Sequence, residues 1–392
     1  MSITDTIDVI DADTHVVEPY DLWTSRVSAK WGDRIPHVVR NDKLGMDLWV
    51  SGDEVLTGGA SSAAAGFATA PPALPTSLDQ VAAEVWDAEA RLDLMSRYGI
   101  HAAVLYPNVA GFGAGRFAIE SAEDSAFALE LVQAYNDFLV DYASADPSRY
   151  VPVMALPFWD LDLTIAELER SAANGHRGVI FSQAPDHFGQ PSLSDPHWDR
   201  LWAAAQDHEL SVNFHIAGGD TSATNFLHRT AGPRANFASF PVTFFLGNAA
   251  TIATLIGAGI CHRFPRLNFV SVESGVGWLP FTLQSLDWMW RETDVVSEHP
   301  EYDLLPSEYF RRQIYGCFWF EHGATLETAI EYLGADNILY ETDFPHPTSM
   351  SPGPASGALV PKDFIDQRLG HLPQETLRKL LHDNAARIYG LG

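Results

Sequence analysis

Cysteine is almost absent: the 392 residues hold two, Cys261 and Cys317. A disulfide framework is thereby excluded as the source of stability, and buried reduced thiols are expected. Basic residues are scarce as well, 24 Lys and Arg against 51 Asp and Glu, for a net charge of −27. Such a surface favours solubility and repels nucleic acid and anionic lipid, so neither is expected as a partner. An anionic substrate would need a local positive charge at its site, from a metal or an arginine. No apolar run reaches the roughly 18 residues of a membrane-spanning helix. The opening Met1-Ser2-Ile3-Thr4-Asp5 is acidic and has no signal-peptide layout, which makes a cytoplasmic location the expectation. What the chain does have is core: 46% of its residues are hydrophobic, enough for a sizeable folded interior.

Eight β-like runs recur, at Ile7–Ala12, Ala102–Tyr106, Tyr150–Ala155, Gly178–Ser182, Ser211–His215, Leu267–Val272, Gln313–Phe318 and Asn337–Glu341. Most are short and apolar, as expected of strands buried on both faces. Helical spacing lies between them, over Glu89–Tyr98, Asp160–Ala173, Trp198–Asp207, Gly247–Gly259 and Thr325–Leu333. Strand–helix alternation on this scale predicts an α/β fold, a (β/α)8 TIM barrel spanning residues 1–392 as one domain. Three stretches interrupt the repeat. Asp42–Leu78 contains a predicted hairpin over Asp47–Leu56 with its turn at Gly52-Asp53, then a Gly, Ala and Ser-rich loop. Gly218–Leu246 follows the fifth strand, and His346–Asp366, with four prolines, follows the eighth. All three leave strand C-termini and are expected over the barrel mouth, as lids or subunit contacts.

The chemistry sits at the same ends. Asp13 and His15 close the first strand two residues apart, which puts both side chains on one face. His215 ends the fifth strand, and Asp343 follows the eighth. In a parallel barrel these positions converge on one rim. Two imidazoles and two carboxylates form a mixed N/O set suited to a divalent transition metal.

These residues also carry a resemblance. Asp-x-Asp-x-His-x-x-Glu-Pro (Asp11 to Pro19), His215, Arg263-Phe264-Pro265-Arg266-Leu267, Glu273-Ser274-Gly275-Val276-Gly277-Trp278, Thr342-Asp343-Phe344-Pro345-His346 and the closing Asn384–Gly390 together resemble the amidohydrolase-2 (amidohydrolase-related) family. Its members include aminocarboxymuconate semialdehyde and gamma-resorcylate decarboxylases. The resemblance spans nearly the whole chain. It implies a (β/α)8 barrel, one divalent metal per chain and commonly a homodimer. It assigns Asp13, His15, His215 and Asp343 as ligands, with an Asp-x-His pair where many members have His-x-His. The metal stands between zinc and manganese, with zinc placed first.

The departure is on the sixth strand, where the family's decarboxylases carry a His in a His-x-Gly-Gly-like turn and this chain has Glu273. A carboxylate raised in pKa by burial can also move protons. It can equally hold a ligand in place or bridge to an arginine. The expected catalytic residues are Asp343 as proton acceptor, Glu273, and His346, which lies three residues after Asp343. A loop or capping role for His346 stands beside that one. Glu18-Pro19 is expected to shape the first loop, with pocket lining as the alternative, and for Glu321-His322, after the seventh strand, a place facing the mouth is the lesser of two readings. Arg91 is expected in a helix ion pair. Trp49, Phe112, Phe244, Phe245, Trp278 and Trp319 are candidates for an apolar pocket wall, against core positions. The expected activity is hydrolysis or non-oxidative decarboxylation of a small aromatic or cyclic carboxylate-type substrate. An inactive barrel that serves as a binding protein is the alternative.

Overall fold

The structure is a computed structural model and describes residues 2–60, 63–113, 115–121, 124–219 and 232–391. Among the described residues the strands in chain order are β1 (Val9–His15), β2 (His37–Asn41), β3 (Met46–Ser51), β4 (Glu54–Gly58), β5 (Ile100–Tyr106), β6 (Tyr150–Met154), β7 (Gly178–Ile180), β8 (Ser211–His215), β9 (Phe269–Val272), β10 (Ile314–Phe318) and β11 (Ile338–Tyr340). Eight of them form one sheet in the order β1-β5-β6-β7-β8-β9-β10-β11, and every ladder between neighbours is parallel. The two edges meet just beyond β11: Asp343 N donates to Asp13 O (3.0 Å) and His15 N to Phe344 O (2.7 Å). This is the TIM barrel expected from the strand–helix alternation.

Strand positions follow the apolar runs to within a few residues, with one informative shift. β1 starts later than expected and runs on through Asp13, Thr14 and His15, all buried. Thr14 and His15 still pair with Leu105 and Tyr106 of β5. Apolar periodicity cannot detect a strand end whose side chains are polar yet inward-facing. Two helices begin on capping aspartates. Asp87 caps Ala88–Tyr98 through Ala90 N, with Gly99 in the left-handed conformation closing it. Asp160 caps Leu161–Ala173 through the N–H groups of Asp162 and Leu163. A 19-residue helix, Ser125–Ala143, also lies between β5 and β6 and buries Phe127, Leu131, Tyr135 and Leu139.

The predicted hairpin is present as β3 and β4, with Gly52 at a φ of 55° in its turn. β2, unexpected from the sequence, adds a third antiparallel strand. The sheet anchors through Trp49, which meets Trp23 edge-on at 5.2 Å between ring centroids. Trp49 is therefore core, which corrects its candidacy as pocket wall. Farther along the stretch, Ala64 N and Ala65 N donate to Pro345 O (2.9 and 3.0 Å), which brings this segment to the rim beyond β11. Within Gly218–Leu246, residues 220–231 lie outside the described residues. The helical run Pro233–Gly257, of 25 residues and mean hydropathy 1.5, is long and apolar enough to cross a membrane by length and composition. This corrects the expectation that no segment would reach that length. Its second half packs Ile252, Leu255 and Ile256 into the core.

Candidate metal centre

β1 points Asp13 and His15 into the barrel, and β8 ends on His215 beside them. The His15 and His215 Nε2 atoms face each other at 3.1 Å. Each ring's Nδ1 lies on a backbone carbonyl, Pro107 O at 2.9 Å for His15 and Ile216 O at 2.8 Å for His215. A carbonyl only accepts, so each Nδ1 carries the proton and each Nε2 presents a lone pair. Two lone pairs this close repel unless a proton or a metal ion lies between them. Asp13 flanks both rings, 3.4 Å from His15 Nε2 and 3.6 Å from His215 Nε2, and Asp343 Oδ1 lies 3.8 Å from His15 Nε2.

Both carboxylate oxygens of Asp13 and Oδ2 of Asp343 are buried without a hydrogen-bond donor, while Asp343 Oδ1 lies against His346 Nδ1. Unsatisfied buried carboxylates around facing imidazole lone pairs fit a divalent cation. Candidate donor atoms of Asp13, His15 and His215 gather within 4.8 Å of one another. So do those of His15, Asp343 and His346, and those of Asp13, Glu273 and Asp343. The four residues assigned as ligands from sequence are thus brought together, with Glu273 and His346 against them.

Backbone strain aims two of these groups. Glu273 and Asp343 sit at φ 55° and 59°, the left-handed region that non-glycine residues rarely occupy. Such a conformation costs about 1–3 kcal/mol per residue and persists only where the surroundings enforce it. At Asp343 the enforcement is visible. Asp11 accepts from Thr342 N (2.9 Å) and Thr342 Oγ1 (2.5 Å), tying the chain before Asp343 to β1. Burial raises the Asp11 carboxyl to about 7, against the pull of these hydrogen bonds.

Burial also raises Glu273, Glu341 and Asp343 well above the usual carboxylate range, helped by the charge of Asp343 at Glu273 and of Asp13 at the other two. His15 is pushed down by burial and then by His346 and His215. For His215 burial also lowers, but Asp13 and Glu273 outweigh it and the net shift is upward. Opposite shifts are what a facing pair that can share one proton should show. A divalent ion would satisfy both rings and draw the carboxylates to their charged forms.

The other expected residues divide. His346 stacks on His15 at 3.9 Å between ring centroids, lies 2.5 Å from Asp343 Oδ1 through Nδ1 and meets Asn108 Oδ1 at 3.0 Å through Nε2. It is at the site rather than in a remote loop. Glu18 holds the loop after β5, accepting from Asn108 N and Val109 N (both 2.9 Å). Arg91 departs from expectation. It is buried with no acidic partner, donating to Glu84 O (2.5 Å), His15 O (2.8 Å) and Val85 O (3.2 Å) and lying over the Phe344 ring. It clamps the backbone at the end of β1 instead of pairing along its helix. Asn108 and Glu341 were not singled out from sequence; Glu341 is fully buried and accepts from Glu273 N (3.1 Å). The signal for both was their place at the ends of β5 and β11.

A cavity of about 470 Å³ opens beside the cluster, with Glu273 at the join. Phe245, Trp278, Trp319 and Glu321 line it. His322 is exposed and bonds locally to Phe320 O. Phe112 packs on the His215 ring at 4.2 Å, so it walls the cluster itself. Phe244 stands on Phe240 and is not among the cavity-lining residues.

A parallel eight-stranded barrel with a mixed imidazole–carboxylate cluster at its strand C-termini defines the class of barrel metalloenzymes. Within that class, the amidohydrolase family profile matches residues 10–391, and the chain belongs to that family. It is similar to the gamma-resorcylate decarboxylase of a Polaromonas species, 27% identical over 270 residues that cover 65% of this chain and 76% of that one. Among solved structures, an amidohydrolase from Mycobacterium avium subsp. paratuberculosis superposes with a TM-score of 0.75 at 20% identity, over 98% of this chain and 99% of that one. A dihydroxybenzoic acid decarboxylase from Polaromonas, with bound manganese and the inhibitor 2-nitroresorcinol, superposes with a TM-score of 0.62 at 19% identity, over 98% and 97%. At these identities the superpositions establish the shared fold. The relatives support the enzymatic reading over an inactive barrel.

Proposed function

We propose that the protein is a metal-dependent carboxy-lyase that removes carbon dioxide non-oxidatively from a small aromatic or cyclic carboxylate. The observation that carries this reading is the juxtaposition of the Asp13–His15–His215–Asp343 cluster with a cavity into which Glu273 projects. Bound at the cluster, a divalent ion supplies the positive charge that an otherwise acidic site lacks and polarises a substrate oxygen. The two imidazoles offer Nε2 lone pairs, held in that tautomer by Pro107 O and Ile216 O. Glu273 is placed to hand a proton to the ring carbon as the carbon–carbon bond breaks and its electron pair stays on the ring. His346, between Asp343 and Asn108, holds the Asp343 carboxylate in position.

Hydrolysis is the second reading. It is favoured by Asp343 Oδ2, buried without a donor, which can take a proton from an attacking water. The manganese in the Polaromonas decarboxylase and the three carboxylates around the cluster support manganese over the zinc placed first from sequence. A homodimer is part of the proposal, supported by exposed Phe281, Trp288 and Met289 on one helix. A cytoplasmic location is too, supported by two unpaired buried thiols. The test is elemental analysis of the purified protein, then a screen of aromatic carboxylates and lactones that follows carbon dioxide and acid release separately. Carbon dioxide release is expected; acid release without it transfers the site to hydrolysis.

A further inference from the structure

We propose that the site selects substrates whose body beyond the reacting carboxylate is bulky, apolar and uncharged, and that it rejects those with a second carboxylate. This rests on the reading above and names its substrate class.

The cavity beside the cluster holds about 470 Å³, within the range of pockets that enclose ligands much larger than a single ring. Phe237, Val242, Phe245, Trp278, Trp319 and Phe320 make its walls. Aromatic and branched walls reward apolar area removed from water. Among the described residues, the ionisable groups that line it are Glu273 and Glu321, and no Arg, Lys or His does.

Glu321 is already engaged. Its carboxylate accepts from Val276 N at 2.9 and 3.1 Å and from Gly277 N at 2.7 Å, which holds the turn after β9. It is therefore a fixed part of the wall and not a free counter-charge for a cationic substrate. Glu273 faces the cluster, 3.3 Å from His215 Nε2. A carboxylate on the far side of the substrate would lie against aromatic walls and two acidic side chains and, among the described residues, find no cation. Among the described residues, the cluster end is where an anionic group is met by a bound cation. Net charge sharpens the same preference, since a chain at −27 repels a dianion more than a monoanion.

The test is calorimetric binding of two ligands of matched shape, biphenyl-4-carboxylate and biphenyl-4,4′-dicarboxylate, to manganese-loaded protein, with metal-free protein as control. The monocarboxylate is expected to bind at least about tenfold tighter. Phe320→Arg places a cation on the exposed side of the wall and should narrow or reverse that ratio. A wild-type protein that binds the dicarboxylate as tightly as the monocarboxylate overturns the proposal, as does a ratio unmoved by Phe320→Arg. If neither ligand binds although manganese does, the carboxylate reading of the site falls, and this inference with it.

Discussion

The two ends of the barrel contrast in how their polar groups are satisfied. At the N-terminal end lies the larger cavity, about 570 Å³, bordered by Arg177, Arg266, Arg387 and His176. There the guanidinium and amide groups find partners. Arg177 donates to Tyr389 O and Gly390 O, and Arg387 to Tyr315 Oη (3.2 Å) and Asp336 O (3.0 Å). Nearby, Asn384 Nδ2 bridges Ala335 O (2.7 Å) and Ile338 O (2.9 Å). His176 Nε2 is the exception, buried without a partner. At the C-terminal end the cavity is smaller, yet both carboxylate oxygens of Asp13, Oδ2 of Asp343 and Oε1 of Glu341 stand unsatisfied, and two imidazole nitrogens face each other. Cavity size does not mark the functional end. Polar groups that cannot be satisfied by the protein alone do, because each is tolerable only if something else completes it.

The strongest way to break this contrast is at Asp343. Asp343→Asn keeps the size but removes charge and basicity, and turnover should fall by about two to four orders of magnitude, with metal content reduced. Elemental analysis beside a metal-loaded assay measures both. Glu273→Gln should lower turnover about a hundredfold with the metal retained; wild-type turnover would make Glu273 structural. At the opposite end, Asn384→Ala strips donors from two buried carbonyls. It should cost about 1–3 kcal/mol in denaturant unfolding while turnover per folded molecule is unchanged.

The smallest effect is in pH dependence, where the ends should slope in opposite directions. Glu18, near the rim, is raised to about 7 by burial, against the pull of the backbone N–H groups on it. Its favourable contribution is full below the unfolded value near 4 and is lost as pH rises through about 7. His176 is lowered to about 4 by burial. Its contribution is full above the unfolded value near 6.5 and is lost as pH falls through about 4. Urea midpoints of metal-free protein between pH 4 and 8 should therefore lose one slope in Glu18→Gln and the other in His176→Asn. Parallel profiles would refute the contrast.

Much of this was legible in the chain. Short apolar runs marked all eight barrel strands, because a strand buried on both faces has no polar positions to alternate with. The Asp-x-His pair, His215 and Asp343 stood out because a parallel barrel brings strand ends to one rim. β2 was missed because His37–Asn41 is mostly polar and half-exposed, and it owes its conformation to pairing with β3. Trp49 could not be assigned between pocket wall and core, because an aromatic in a loop insertion has the same sequence signature whether it faces ligand or Trp23.

The sequence by itself determined the alternation that makes the barrel, the caps that start its helices and the identity of the residues at its mouth, since these depend on local periodicity and local hydrogen bonds. Tertiary structure alone decided that His15 and His215 present lone pairs to each other, that Arg91 clamps backbone rather than an acid, and that no basic residue lines the described cavity. It also decided the strained turns at Glu273 and Asp343. The reason is physical: these features join atoms up to some 330 residues apart, as in the Asp11–Thr342 clamp, a separation of 331. Geometry between such atoms exists only once the barrel closes.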